Sequence, residues 1–337
     1  MNKDSIIYIT GGYGMVGSNL YNYLVENGYT NVMRTTKGQL DLCDRKAVFE
    51  VFMDIRPEYV FMCAAKVGGI HANMVYPVHF LNENLAIQQN TFEACYANSV
   101  KKVLFLGSSC IYPKNISGLI EESHLLSGPL EPTNIAYAIA KISGIIACDS
   151  YNKQYGTNYI AAMPTNLYGP GDNYHSLDSH FIPALIRKFH EAKINNQFSV
   201  NLWGTGTSLR DIMYVKDCVE ELVYAMNNYD YKCNANRAEI GCYFNVSSYC
   251  ERSIKEWAEV IAYEIVGYRG NITWDGNPQL DGMPRKCLQV FNRVTSPQLR
   301  PPTNQMTSGL HEKLMETYEC FIKDNCDEKG NIINITI

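Results

Sequence analysis

Two short stretches hold the residue types best suited to proton chemistry. In EPTNIAYAIAK (131–141), Tyr137 and Lys141 stand four apart in a helical pattern, which puts both side chains on one helix face. An ammonium beside a phenol stabilises the phenolate, so this spacing predicts a Tyr137 pKa lowered toward a range useful for proton transfer. The spacing alone is common by chance; it gains weight from FLGSSCIYPK (105–114), where an apolar strand pattern ends just upstream. Ser108 and Cys110 are two apart there, and an extended backbone would project both to one side with Ser109 on the other. A serine hydroxyl so placed can hydrogen-bond a carbonyl oxygen alongside the tyrosine. A cysteine on the same side can reach the carbon next to that carbonyl, although a small buried residue is the ordinary fate of cysteine.

A glycine-rich turn opens the chain. In IIYITGGYGMVG (6–17), Gly11, Gly14 and Gly17 follow a strand pattern and precede a helix pattern, with Gly12, Tyr13, Met15 and Val16 between them. Glycines there permit a tight turn, close approach of backbone N–H groups to a pyrophosphate, and close helix–strand packing. A purely structural turn is the competing reading, and the βαβ context favours dinucleotide binding. About 20 residues further on, an acidic residue would bind a ribose 2′-hydroxyl. Arg34 occupies this place, followed by Thr35, Thr36 and Lys37. An arginine suits a 2′-phosphate, so NADP(H) is favoured with NAD(H) as the alternative, unless Arg34 is only a solvated surface residue.

The elements that must position these groups alternate. Strand patterns at 6–10, 31–35, 59–65 and 102–109 are separated by helical patterns at 15–28, 44–55 and 82–98, and a further helix spans 134–154. This order predicts an α/β fold with a parallel sheet. The texture changes near residue 170, so 1–170 reads as a dinucleotide-binding domain and 171–337 as mainly a smaller substrate-binding lobe, some of whose segments return to the first sheet. The tail at 324–337 has no helical period.

Hydrophobic residues make up 46% and charged residues 19% of the chain, a globular composition. A net charge of -5 argues against a nucleic-acid partner. The N-terminal apolar run is too short for a signal peptide or a membrane span, which predicts a cytoplasmic protein. Twelve cysteines are scattered without a CxxC pair, and Cys63 and Cys148 lie in apolar runs. Reduced, mostly buried thiols are expected, with no metal site.

These motifs resemble the extended short-chain dehydrogenase/reductases, and within them the GDP-L-fucose synthase family. The resemblance covers residues 5–290 and rests on AAKVGGIHAN (64–73), FLGSSCIYPK, EPTNIAYAIAK, CDSYNKQYG (148–156), MPTNLYGPGDNYH (163–175), SHFIPALIRKFHEA (179–192) and WGTGTSLRDIMYVKD (203–217). It implies a Rossmann-type doubly wound sheet and NADPH-dependent C4 reduction of a GDP-4-keto sugar, with epimerisation at C3 and C5. Tyr137 would give its proton to the C4 oxygen, Lys141 would hold the nicotinamide ribose, and Ser108 would assist. Cys110 and His180 would be the acid/base pair of the epimerisation. The cofactor would lie along residues 11–17, Arg34, Asp41, Leu42, Ala64, Ala65, Lys66, Lys141, Pro164, Thr165, Asn166, Leu167 and His180. Lys188, Trp203, Arg210, Asp281 and Lys286 would meet the GDP-sugar.

The resemblance also implies a homodimer through the helices at 82–98 and 134–154, where Ile145, Ile146 and Ala147 suit either that interface or the core. Three departures stand out. Tyr13 replaces an arginine of the family's glycine turn, Lys188 replaces another arginine, and the match fades in NRVTSPQLRPPTNQMTSG (292–309). They leave room for a C4 reductase without epimerisation, acting on a different GDP-4-keto sugar such as a heptose of a surface polysaccharide. A non-catalytic dinucleotide sensor on the same fold is disfavoured because Ser108, Tyr137 and Lys141 are all present.

Overall fold

The computed structural model describes residues 1–176, 178–231, 241–290 and 309–333. Most of the divergent stretch at 292–309 and the last four residues of the tail lie outside them.

Six parallel strands make the main sheet, in the order β2-β1-β3-β4-β5-β9: β1 (Ile7–Thr10), β2 (Val32–Arg34), β3 (Tyr59–Met62), β4 (Lys102–Leu106), β5 (Tyr159–Pro164) and β9 (Tyr243–Val246). Both faces are covered, and the period of two shows it. Ile7 and Ile9 pack into one apolar cluster with α1 (Met15–Glu26) and α7 (Val215–Asn228). Tyr8, between them, enters the opposite cluster with Val48 and Phe52 of α2 (Arg45–Ile55) and Phe92 of α4 (Pro77–Ala97). β5 alternates in the same way, with Ile160 and Ala162 on one side and Tyr159, Ala161 and Met163 on the other. Strands buried on both faces read as continuous apolar runs.

The observed elements differ from the sequence patterns mainly at their ends. α4 starts at Pro77 rather than 82, because proline is well placed in a first helical turn. β3 ends at Met62 and β4 at Leu106, earlier than the 59–65 and 102–109 patterns. Beyond β4 the chain does not stay extended: Ser109–Ile111 forms a 3₁₀ turn, so the strand-based projection of Ser108 and Cys110 is corrected. A helix unremarked in the sequence, α9 (Leu310–Asn325), buries Leu314 and Phe321. The bridge Cys326↔Ile332 follows it, and His190 Nε2 lies 2.7 Å from Gly330 O.

A third cluster joins α6 (Phe181–Ile194), α8 (Ile254–Glu259), its π-helical continuation Val260–Val266, and α9. The strands outside the main sheet are β6 (Asn166–Tyr168), β7 (Ser199–Leu202), β8 (Leu209–Tyr214), β10 (Glu251–Ser253), β11 (Asn271–Trp274) and β12 (Arg285–Lys286) among the described residues. β8 pairs with β6 and β12 in parallel and with β10 antiparallel. A short α3 (Ile70–Val75) precedes α4, and α5 (Ile135–Tyr155) follows the 3₁₀ turns after β4.

α5 carries Tyr137 and Lys141, and Gly144 lets it lie close to β4. A Cβ at Gly144 would come within 2.4 Å of the buried Phe105 ring. Gly144→Ala should therefore destabilise the protein by ~1–3 kcal/mol through overpacking, although alanine is the better helix former by ~1 kcal/mol. Urea denaturation would measure it; a gain in stability would mean that Phe105 yields freely.

Candidate active site

The glycine turn fits a dinucleotide. A Cβ on Gly11 would lie 2.7 Å from the Ala64 backbone, and one on Gly17 would lie 2.2 Å from Gly11 O. β1, β3 and the start of α1 therefore approach as only glycine allows. Gly14 is the N-cap of α1 and brings no side chain, so the first N–H groups of the helix are left for an anion. Arg34, at the end of β2, donates from Nη1 to Gly12 O at 2.9 Å, and its guanidinium carbon lies over the rings of Tyr13 and Tyr21. It is not a loose surface residue.

Asp41 accepts from Cys43 N, while Leu42 O accepts from buried Asn90. Ala64 N donates to Thr10 Oγ1, and Lys66 exchanges two backbone hydrogen bonds with the side chain of Asn84, buried in α4. On the far side of the sheet, Pro164 pairs with Val246. Thr165 and Asn166 both donate to Asp211 O, and Leu167 pairs with Met213 of β8. These residues line the carboxyl ends of neighbouring strands, where ligands of open α/β sheets bind.

Lys141 is 2% exposed, and its Nζ donates to Leu106 O at 2.7 Å. Burial lowers its pKa to about 8. The Tyr137 ring lies 5.8 Å from that ammonium and edge-on to Phe80. The expected lowering of the Tyr137 pKa does not occur. Burial raises it, negative charge on Cys110 adds to the rise, and a hydrogen bond with Ser108 only partly opposes them. Tyr137 is thus held protonated, as a proton donor requires.

Cys110 sits at the centre of a polar group. Lys286 Nζ and Asn134 Nδ2 each donate to its Sγ at 3.3 Å, and its own N–H donates to Ser108 Oγ at 3.2 Å. Burial alone would raise the thiol pKa. The Lys286 charge and the hydrogen bonds from Ser108, Lys286 and Asn134 more than offset it, and the pKa falls below the usual value. His180, the N-cap of α6, remains exposed; surrounding protein and then the charge of Lys286 lower its pKa. One ammonium thus acts on both Cys110 and His180.

Gly69 brings a neighbouring loop against the segment that leads into His180. Gly69 N donates to Asp178 O at 2.8 Å, and a Cβ on Gly69 would meet Ser179 O at 2.7 Å. The VGGI loop and the segment entering α6 can touch only because that position is bare.

The sugar-nucleotide residues separate into three groups. Lys188 Nζ stands 4.8 Å over the Trp203 ring, which is 55% exposed. Arg210 is buried and donates to the carbonyls of Leu209, Met283 and Asp281, with burial lowering its pKa to about 10. The Asp281 carboxylate is taken up by Thr205, accepting from its N–H at 2.7 Å and its hydroxyl at 2.6 Å, so it organises the 204–207 turn. Lys286 pairs in register with Arg210 and reaches inward to Cys110 rather than outward with Lys188.

Asn134 was missed by reading the sequence, where an Asn before a helix suggests a cap. It makes no side-chain cap bond; its amide goes to the thiol, and its buried Oδ1 has no partner. Asn84 and Gly69 were missed too, although the GG pair was a visible sign of close backbone approach. Among the described residues, no group of three His, Cys, Asp or Glu could hold a metal ion, and no helix is long and apolar enough to cross a membrane. The described cysteines are all free.

Residues 7–241 match the model of the NAD dependent epimerase/dehydratase family. The chain belongs to this family. It is 42% identical over 326 residues to GDP-L-fucose synthase 1 of Arabidopsis thaliana, covering 97% of this chain and 96% of that protein. Among solved structures it is similar to a GDP-6-OMe-4-keto-L-xylo-heptose reductase from C. jejuni (TM-score 0.88, 31% identity, 96% of this chain and 99% of that one). It is also similar to a Campylobacter jejuni GDP-mannoheptose C4 reductase with NADP bound (TM-score 0.82, 32% identity, 95% and 99%). The α/β fold and the family read from the motifs both stand.

Lys286→Met should move the pH midpoint of Cys110 alkylation upward and slow that reaction at neutral pH. Mass spectrometry of the Cys110 peptide after timed iodoacetamide treatment across a pH series would read it. An unchanged profile would show that the ammonium does not govern the thiol.

Proposed function

We propose that this protein uses NADPH to reduce the C4 ketone of a GDP-linked 4-keto-6-deoxy sugar, after inverting C3 and C5. The observation that carries the reading is a thiol held by Lys286 and Asn134 beside the Ser108–Tyr137–Lys141 group. Such a thiol supplies the base that epimerisation needs and that reduction at C4 does not use.

The C4 carbonyl acidifies the hydrogens on C3 and C5. The Cys110 thiolate takes such a proton, leaving an enolate, and protonated His180 returns one to the opposite face of the ring carbon. Its lowered pKa leaves His180 mostly neutral at neutral pH, so the proton it returns is one it first takes up from solvent. For the reduction, the bound dinucleotide supplies the hydride. Tyr137 gives its proton to the C4 oxygen as that oxygen gains charge, and Ser108 hydrogen-bonds the same oxygen. Lys141 would hold the ribose of the dinucleotide, and its ammonium keeps positive charge near the phenolate that forms. Arg210 and Lys188 are the cations for the diphosphate and sugar, with Trp203 as an apolar face.

A second reading, C4 reduction alone on a GDP-linked keto-heptose, is favoured by the likeness to the heptose reductases of known structure. For assembly, exposed Ile135 (49%), Ile139 (42%) and Ile146 (38%) recur on one face of α5 and support a homodimer through α4 and α5.

Reaction of GDP-4-keto-6-deoxymannose with NADPH in heavy water, followed by NMR, tests the proposal. Product carrying deuterium at C3 and C5 is expected, and Cys110→Ser should abolish that label. An unlabelled reduced product would mean a C4 reductase only, and no reaction would move the search to heptose substrates. Tyr137→Phe should lower the reduction rate by ~10²–10⁴-fold, the size of a general-acid contribution, while leaving NADPH affinity nearly unchanged. Stopped-flow absorbance of NADPH and a binding titration measure the two quantities; full activity in the variant would remove Tyr137 from its role.

A further inference from the structure

The Arg34 guanidinium carbon lies over the rings of two tyrosines. This Cζ lies 4.2 Å from the centre of the Tyr13 ring and 3.8 Å from that of Tyr21. Nη1 is fixed by Gly12 O at 2.9 Å, and the arrangement requires a glycine there, since a Cβ on Gly12 would come within 2.4 Å of Arg34 Cβ. Tyr13 is 56% exposed although its ring is large and apolar. Core packing does not explain it; the contact with Arg34 does.

We infer that Tyr13 and Tyr21 are positioning residues for cofactor choice: together they hold Arg34 so that its free N–H groups are presented to the 2′-phosphate of the dinucleotide. This rests on the reading that the chain binds NADPH. The physical reasoning has two parts. An arginine carries much rotamer entropy, and ordering it on binding weakens the contact it makes. Two rings and one carbonyl pre-order it, and its other N–H donors, which lie in the guanidinium plane, suit the oxygens of a phosphate.

Binding of NADPH and NADH to the full-length protein, each measured by nicotinamide fluorescence titration without sugar substrate, tests this apart from any turnover. Arg34→Ala should remove most of the preference for NADPH. Tyr13→Ala and Tyr21→Ala should each lower it ~2–5-fold, the size of one exposed cation–π contact, with NADH affinity unchanged. Tyr→Phe at either position should retain it, because the ring and not the hydroxyl is used. Unchanged NADH affinity also reports that each variant is folded. An equal loss for both cofactors would overturn the inference, as it would mean the rings support the turn itself. An unchanged preference in Tyr21→Ala would do the same, as would a preference abolished by Lys37→Ala but not by Arg34→Ala. Failure of sugar reduction with the expected binding pattern would sink the proposed reaction and leave this inference standing.

Discussion

Burying the ammonium of Lys141 costs several kcal/mol unless an acceptor meets it, and the acceptor is Leu106 O at 2.7 Å. Much of the site's geometry follows from that contact. It ties α5 to the end of β4. The chain then leaves extended geometry, and Cys110 reaches the pocket from a 3₁₀ turn that the still-extended Ser108 caps. Gly144, one turn further along α5, keeps the helix near enough for the contact. Tyr137, one turn earlier, is carried to the same edge and packs against Phe80.

A second cation arranges the opposite side. Lys286 arrives on a two-residue strand beside Arg210 and donates to the Cys110 thiol, while its charge also lowers the His180 pKa. Two groups with different ordinary pKa values are thus tuned in one direction by one ammonium. Removing that charge should shift both upward together, which couples the two ends of the proposed epimerisation. Tyr137 responds differently because burial dominates it. The pocket therefore holds one phenol kept protonated beside one thiol moved toward its thiolate, and proton donor and base are separated by environment rather than by residue type alone.

Close backbone approach does the remaining positioning. Gly11 against Ala64, Gly12 against Arg34, and Gly69 against Ser179 each bring two chain segments nearer than a Cβ would permit. Buried amides fix the loops between these contacts: Asn84 holds Lys66, and Asn90 holds Leu42. The residues that touch a ligand are therefore a minority of those that shape its site.

Read from the amino acids alone, the alternation of apolar strand and helix patterns was enough for the parallel sheet, since the period of side-chain burial is a local property of the chain. The glycine turn, Ser108, Tyr137, Lys141 and the long matched strings pointed to the family for the same reason: their spacing is written along the chain. Strand ends, the 3₁₀ turn at Cys110 and the rise rather than fall of the Tyr137 pKa were not legible there. Each depends on burial and on partners far away in sequence. Lys286 reaches Cys110 across 176 positions, and Asp281 turns to Thr205 across 76. No local pattern could say whether those charges face a ligand or each other's loops; only the folded arrangement of β8, β12 and the turns beside them decides it, because an ionic or hydrogen-bonded contact acts over a few ångströms of space and is blind to distance along the chain.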